Sequence, residues 1–135
     1  MDMSNICQIC KKNPKAHSFH KLYEHKKISF FYTNPAEAEK YDDVDGIIKH
    51  MDNMLKQHAK NKWAWIFDAQ GFECKHMIQL NLTKRIIDLI SKSHSSNLEY
   101  IHIKNVNSTI KQFFHTIKPL INNHELGNKV RFDEK

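Results

Sequence analysis

The chain has 135 residues, 40% of them hydrophobic, and a formal net charge of +6. That length bounds it to one domain with a real core and room for a small appendage, and no run approaches the ~18 apolar residues that a membrane span needs. Only two of its 21 cations are arginines, Arg85 and Arg131; bidentate base reading is mainly arginine work, so a sequence-specific DNA reader is disfavoured.

The basicity is placed unevenly. Residues 1–30 carry six lysines against Asp2 and Glu24, a net +4, and the acidic residues Glu37, Glu39, Asp42, Asp43 and Asp45 follow at once. The first segment, MDMSNICQICKKNPK, has no apolar core of the kind a secretory signal needs. The expected compartment is therefore cytoplasmic, with the three cysteines as reduced thiols or metal ligands rather than a disulfide framework.

Cys7, Cys10, His17 and His20 form the pattern C-x2-C-x6-H-x2-H. Zinc takes four nitrogen or sulfur ligands in a tetrahedron, and a C-x2-C knuckle supplies two thiolates at a workable bite. Residues 1–27 are thus expected to form a Cys/His head, either a structural zinc knuckle or a hairpin. If 17–20 is extended, His17 and His20 point to opposite faces, and Cys74 or His25 would have to substitute. The plainer reading is a pair of free thiols in a loop beside solvent-facing histidines.

Ile28–Thr33 is aromatic and short, which predicts a strand. The stretch 16–22 is a candidate hairpin partner across Tyr23–Lys27, and Asn34-Pro35 closes the strand. Val44, Ile47, Ile48, Met51, Met54 and Leu55 recur at helical spacing behind a cap at Asp42 or Asp43. Lys62 opens the strand WAWIFD, whose apolar run does not alternate, as expected of a central parallel strand covered on both faces. A helix is expected from Lys75 to about Lys92, with Ile78, Leu82, Ile86, Leu89 and Ile90 inward. Leu98–Ile103 is the next strand. A third helix begins at Asn107 or Ser108 with Ile110, Phe113, Phe114, Ile117 and Ile121 on one face, and Pro119 should kink or end it. Lys129–Phe132 is a closing strand. The order predicts an α/β fold, a mainly parallel β-sheet with covering helices.

Asp68-x-x-Gly71 at the end of a strand resembles a nucleotide-binding turn. A phosphate cradle needs a glycine-rich loop, and three scattered glycines provide none. No nucleophile elbow, cysteine–histidine pair or carboxylate pair argues for catalysis; Cys74 and His76 are two apart and do not face each other on a helix. The expectation is a non-enzymatic chain with no catalytic residue. Asp68 would accept backbone N–H bonds in the turn through Ala69–Gly71, and Gly71 would supply a conformation other residues avoid.

The ordered combination of WAWIFDAQGFECKHM, a helix leading into SSNLEYIHIKN, the helix STIKQFFHTIKPLI and a charged turn before KVRF resembles the CRAL-TRIO family of lipophilic-ligand-binding domains. The likeness spans about Ile28 to Phe132 and rests on Asp68 with Gly71, on Asn105 at a strand end, and on Lys118-Pro119-Leu120. Val106, Asn107 and Ser108 stand where the family usually has a proline and an aromatic, and the family pattern continues past Phe132 with a gate helix. The resemblance implies that residues 28–135 form a shortened CRAL-TRIO-like domain. It would offer an apolar, sheet-backed groove to a lipid, another hydrophobic small molecule, a protein partner or a second copy of the chain. Candidate groove residues are Phe31, Trp65, Phe67, Phe113 and Phe114, which any α/β sandwich would also bury. The alternative is a zinc-headed adaptor whose basic N-terminal segment binds nucleic acid or an acidic protein, with nucleic acid the weaker partner.

Overall fold

The computed structural model describes residues 16–39, 43–59, 61–77, 79–123 and 126–132. Five strands form one sheet in sequential order: β1 (His20–His25), β2 (Ile28–Thr33), β3 (Lys62–Asp68), β4 (Leu98–Lys104) and β5 (Val130–Phe132). β1 pairs antiparallel with β2, and every other pairing is parallel. The helices are α1 (Val44–His58), α2 (Cys74–Met77), α3 (Leu80–Leu89) and α4 (Ser108–Asn123). Trp63–Asp68 lies in the middle of the sheet, where its unbroken apolar run belongs.

Sequential order has a geometric consequence. Parallel crossovers share one hand, so they return on the same side of the sheet. Phe31, Trp63, Trp65, Ile101 and Ile103 from one sheet face share a single core with Met51 and Leu55 of α1, Leu82 and Ile87 of α3, and Phe113 and Ile117 of α4. The expectation that β3 is covered on both faces is corrected here. Its second face carries Ala64, Ile66 and Asp68, and that side of the sheet also holds Phe30 and Tyr100; of these only Ala64 is fully buried, and none joins the main core cluster. The run fails to alternate for a different reason: Ala64 is small, and the rings of Phe30 and Tyr100 meet across it at 6.4 Å, burying it completely.

The hairpin is displaced from its expected register. Pairing begins at His20 rather than Ala16, and the connection is the two-residue turn Lys26–Lys27. Both lysines have positive φ, 52° and 66°, which matches the twist of the flanking strands but is normally filled by Asn and Gly. Ala16 and Phe19 are free to enter the core instead, where Phe19 stacks on Phe31 at 5.1 Å.

Asp43 caps α1, accepting from the Gly46 N–H at 3.3 Å. A Cβ at position 46 would collide with that carboxylate, so the glycine that weakens the first turn also permits the cap. The expected helix from Lys75 to Lys92 is two helices, α2 and α3, followed by a π turn over Ile90–His94. Gln79 breaks it by leaving helical geometry (φ −79°, ψ 57°). Buried His76 supplies a local acceptor instead, its Nδ1 taking the Glu73 N–H at 2.9 Å. Of the predicted inner stripe, Leu82 and Ile90 are buried, Ile86 and Leu89 pack against the core, and Ile78 lies outside the described residues. Asn107 caps α4 by accepting from the Ile110 N–H at 2.8 Å. α4 continues past Pro119 to Asn123. Proline near a helix end forfeits one ladder bond, and exposed Pro119 leaves the His115 carbonyl near water rather than in the core.

Candidate functional site

The carboxyl ends of β2, β3 and β4 are tied together by one side chain. The Asp68 carboxylate accepts from the Tyr32 hydroxyl at 2.8 Å, the Asn105 amide at 2.8 Å and the Gln70 N–H at 3.0 Å. Asn105 reaches it by adopting a positive φ of 52°, which asparagine tolerates better than most residues. Asn107 donates to the Ala69 carbonyl at 3.0 Å. Gly71 has φ 81°, and a Cβ there would lie 2.8 Å from Ala36 Cβ, so the turn after β3 demands glycine twice over. Burial pushes the Asp68 carboxyl up, but donation from Asn105, Gln70 and Tyr32, with the charge of Lys104, outweighs it and holds the group below its ordinary range. Tyr32 moves the other way: burial and then its bond to Asp68 push the hydroxyl up to about 12.

Behind this ledge, between the sheet and helices α3 and α4, lies a cavity of ≈ 80 Å³. Trp65 and Phe67 form its sheet side, Ile86 and Ile87 its α3 side, and Phe113 and Phe114 with Ile117 its α4 side. Among the described residues of the wall the one polar aliphatic side chain, Thr83, is bonded to the Gln79 carbonyl at 3.3 Å. Trp65 likewise spends its indole N–H on Thr33 Oγ1 at 2.8 Å. Such a wall can hold only an apolar group.

The structure brings four of the five sequence candidates, Trp65, Phe67, Phe113 and Phe114, around that cavity. Phe31 is elsewhere, fully buried between Phe19 and an edge-on Trp63 at 5.9 Å. The isoleucine wall, Ile87, Ile103 and Ile117, went unselected: Ile117 stood on the predicted inner face of its helix, whereas Ile87 fell outside the predicted stripe.

Cys7 and Cys10 lie outside the described residues. His17 is buried, bonded to Asp43 Oδ2 at 2.9 Å and edge-on to His50 at 5.3 Å. His20 starts β1 with its ring 5.5 Å from Tyr32. Cys74 is exposed at the start of α2, and His25 ends β1. Among the described residues no group of three or more His, Cys, Asp or Glu side chains is arranged to hold a metal. No described helix is long and apolar enough to cross a membrane.

Two histidines give the fold a pH dependence. Burial lowers His50, its bond to the Phe19 carbonyl opposes this, and His17 and His20 nearby reinforce the lowering. Burial, then Lys75, lowers His76 against the opposing effects of Glu73. A histidine depressed in the folded state is protonated first in the unfolded chain, so stability falls as pH drops below the unfolded value near ~6.5. Urea midpoints taken between about pH 7 and pH 5 should decline, and less steeply in His50→Gln. An identical slope in the variant would remove His50 from this account.

No curated protein matches the chain. Among solved structures, Sfh5 aligns with a TM-score of 0.59 at 12% identity, over 90% of this chain and 50% of that one. This chain therefore spans half the length of the Sfh5 structure, and the likeness is one of fold. The family model for the CRAL/TRIO domain matches residues 28–135, from the first residue of β2 through the ledge, the cavity and β5. With most of its length matched, this chain belongs to the CRAL/TRIO family.

Proposed function

We propose that this chain binds a lipophilic small molecule between its sheet and helices α3 and α4, and performs no chemistry on it. The observation that carries the reading is the cavity wall, where aromatic and isoleucine side chains converge and the polar atoms of Trp65 and Thr83 are engaged elsewhere. Family membership supports it, since the CRAL/TRIO domain is a lipophilic-ligand-binding scaffold.

At ≈ 80 Å³ the cavity is smaller than the ~300–1,000 Å³ usual for small-molecule sites. Binding therefore requires α4 to swing away from the sheet. Its first turn is capped by Asn107, which accepts from the Ile110 N–H and donates to the Ala69 carbonyl, whereas its later turns rest on the apolar side chains of Phe113, Ile117 and Ile121. Pro119 interrupts the helical ladder in that half. The Asn107 end is then the hinge and the Pro119 end the mobile part.

Dodecanol is a suitable neutral probe. Ile117→Trp fills the space beside Trp65 and Phe113, and its affinity for dodecanol should fall at least about tenfold, or ~1.4 kcal/mol, while far-UV circular dichroism stays native. Undiminished affinity in a folded variant would move the ligand out of this cavity.

A further inference from the structure

On the outer side of α4, against edge strand β5, runs a second depression of ≈ 420 Å³. Its floor is apolar: Val106, Phe114, Ile121, Val130 and Phe132. Phe114 and Phe132 meet edge-on at 5.2 Å, and Phe132 is 39% exposed. Lys111, His115 and Lys118 also line it. They sit at i, i+4 and i+7, so they lie along one face of the helix. The sixteen residues of α4 include no acid, and among the described residues no hydrogen bond or ion pair engages the side chain of any of the three. Phe114, Ile121 and Val130 line both this groove and the inner cavity, so the two share a wall.

Two lysines beside an apolar trough, with no acid near them among the described residues of α4, are matched by a ligand that is anionic at one end and aliphatic along its length. We infer that the α4–β5 groove binds an anionic amphiphile, a single aliphatic chain ending in a carboxylate or phosphate. Lys111 and Lys118 hold the head, and Phe114, Val130 and Phe132 hold the chain. The inference rests on the lipophilic reading above and gives it a ligand class. Size favours a small molecule over an acidic protein: the volume lies in the range of ligand pockets, whereas a stable protein partner needs about 800 Å² on each side, and β5 offers only three residues for strand addition.

The test compares four probes on the full chain by calorimetry: dodecanoate, dodecanol, inorganic phosphate and a short polyglutamate peptide. Dodecanoate should bind at least about tenfold more tightly than dodecanol, and that advantage should shrink with added salt, because exposed charges are screened. Lys111→Ala combined with Lys118→Ala should abolish the advantage and leave dodecanol binding unchanged. Both positions are exposed, so the fold should survive. Equal affinity for dodecanol and dodecanoate, or a preference that persists in the double variant, overturns the inference. So does binding of phosphate or polyglutamate as tight as dodecanoate, which would make the groove a site for charge alone. Failure of every aliphatic probe would instead sink the lipophilic reading beneath it.

Discussion

Trp63→Ala should cost about 3–5 kcal/mol, the range for removing a buried aromatic from a core. Trp63 is fully buried in the central strand, between the flanking strands β2 and β4. Its ring meets Phe31 edge-on, and its indole N–H donates to the His94 carbonyl at 2.9 Å, pinning the π turn that follows α3. Alanine removes the packing, opens a void that the sheet on either side cannot collapse to fill, and leaves a carbonyl without its donor. A domain of this size has about 5–15 kcal/mol in total, so a large part of its stability rests on one side chain. Urea denaturation measures the loss. Tyr23→Ala on the open face is the control: Tyr23 is 51% exposed and should cost far less. Equal losses at the two positions would contradict the one-sided core.

The second large effect is expected at Asp68. Asp68→Ala strands three donors, from Tyr32, Gln70 and Asn105, at the junction of three strands. Charge-assisted bonds are each worth roughly 1.5–3 kcal/mol, less near solvent, so a net loss of about 2 kcal/mol is expected. Asp68→Asn keeps one acceptor oxygen, and the Tyr32 hydroxyl can rotate to accept from the new amide, so it should lose distinctly less. The pH dependence has a definite sign. Because Asp68 is held below its ordinary range when folded, its contribution is present above the unfolded value near ~3.9 and is lost as pH falls through the lower folded value. Asp68→Ala should therefore flatten the acid limb of the stability curve. Unchanged melting in both variants would mean the ledge does not hold the strand ends together.

Much of this architecture is legible in the sequence because it depends on local period. The stripe Ile47, Met51 and Leu55 and the run Trp63–Phe67 state their elements directly, and the order of elements limits the sheet to a mainly parallel one. The hairpin register is not legible: a Lys-Lys primed turn has none of the usual turn chemistry, and its geometry is imposed by the strands it joins. The break at Gln79 is likewise imposed from outside, since neither glycine nor proline marks it. Four of the five candidate groove aromatics meet at the cavity, while Phe31 does not, because strand periodicity gives the face of a residue and not its position along the sheet. Lys111 and His115 attract no attention in the sequence, and Lys118 does so only as part of the Lys118-Pro119-Leu120 resemblance. Two lysines and a histidine on a helix usually mean a solvated face, and only the apolar floor beneath them gives the row another meaning.

The central claim is that the ligand lies on the helix-covered side of the sheet. Isoleucines mark both sides: Ile87, Ile103 and Ile117 wall the cavity, whereas Ile28 and Ile66 lie on the open face. Nuclear Overhauser contacts between dodecanol and isoleucine methyls, recorded on protein labelled at those methyls, discriminate between them. The account predicts cross-peaks to Ile87, Ile103 and Ile117. Cross-peaks confined to Ile28 and Ile66 would place the ligand on the wrong face and contradict it.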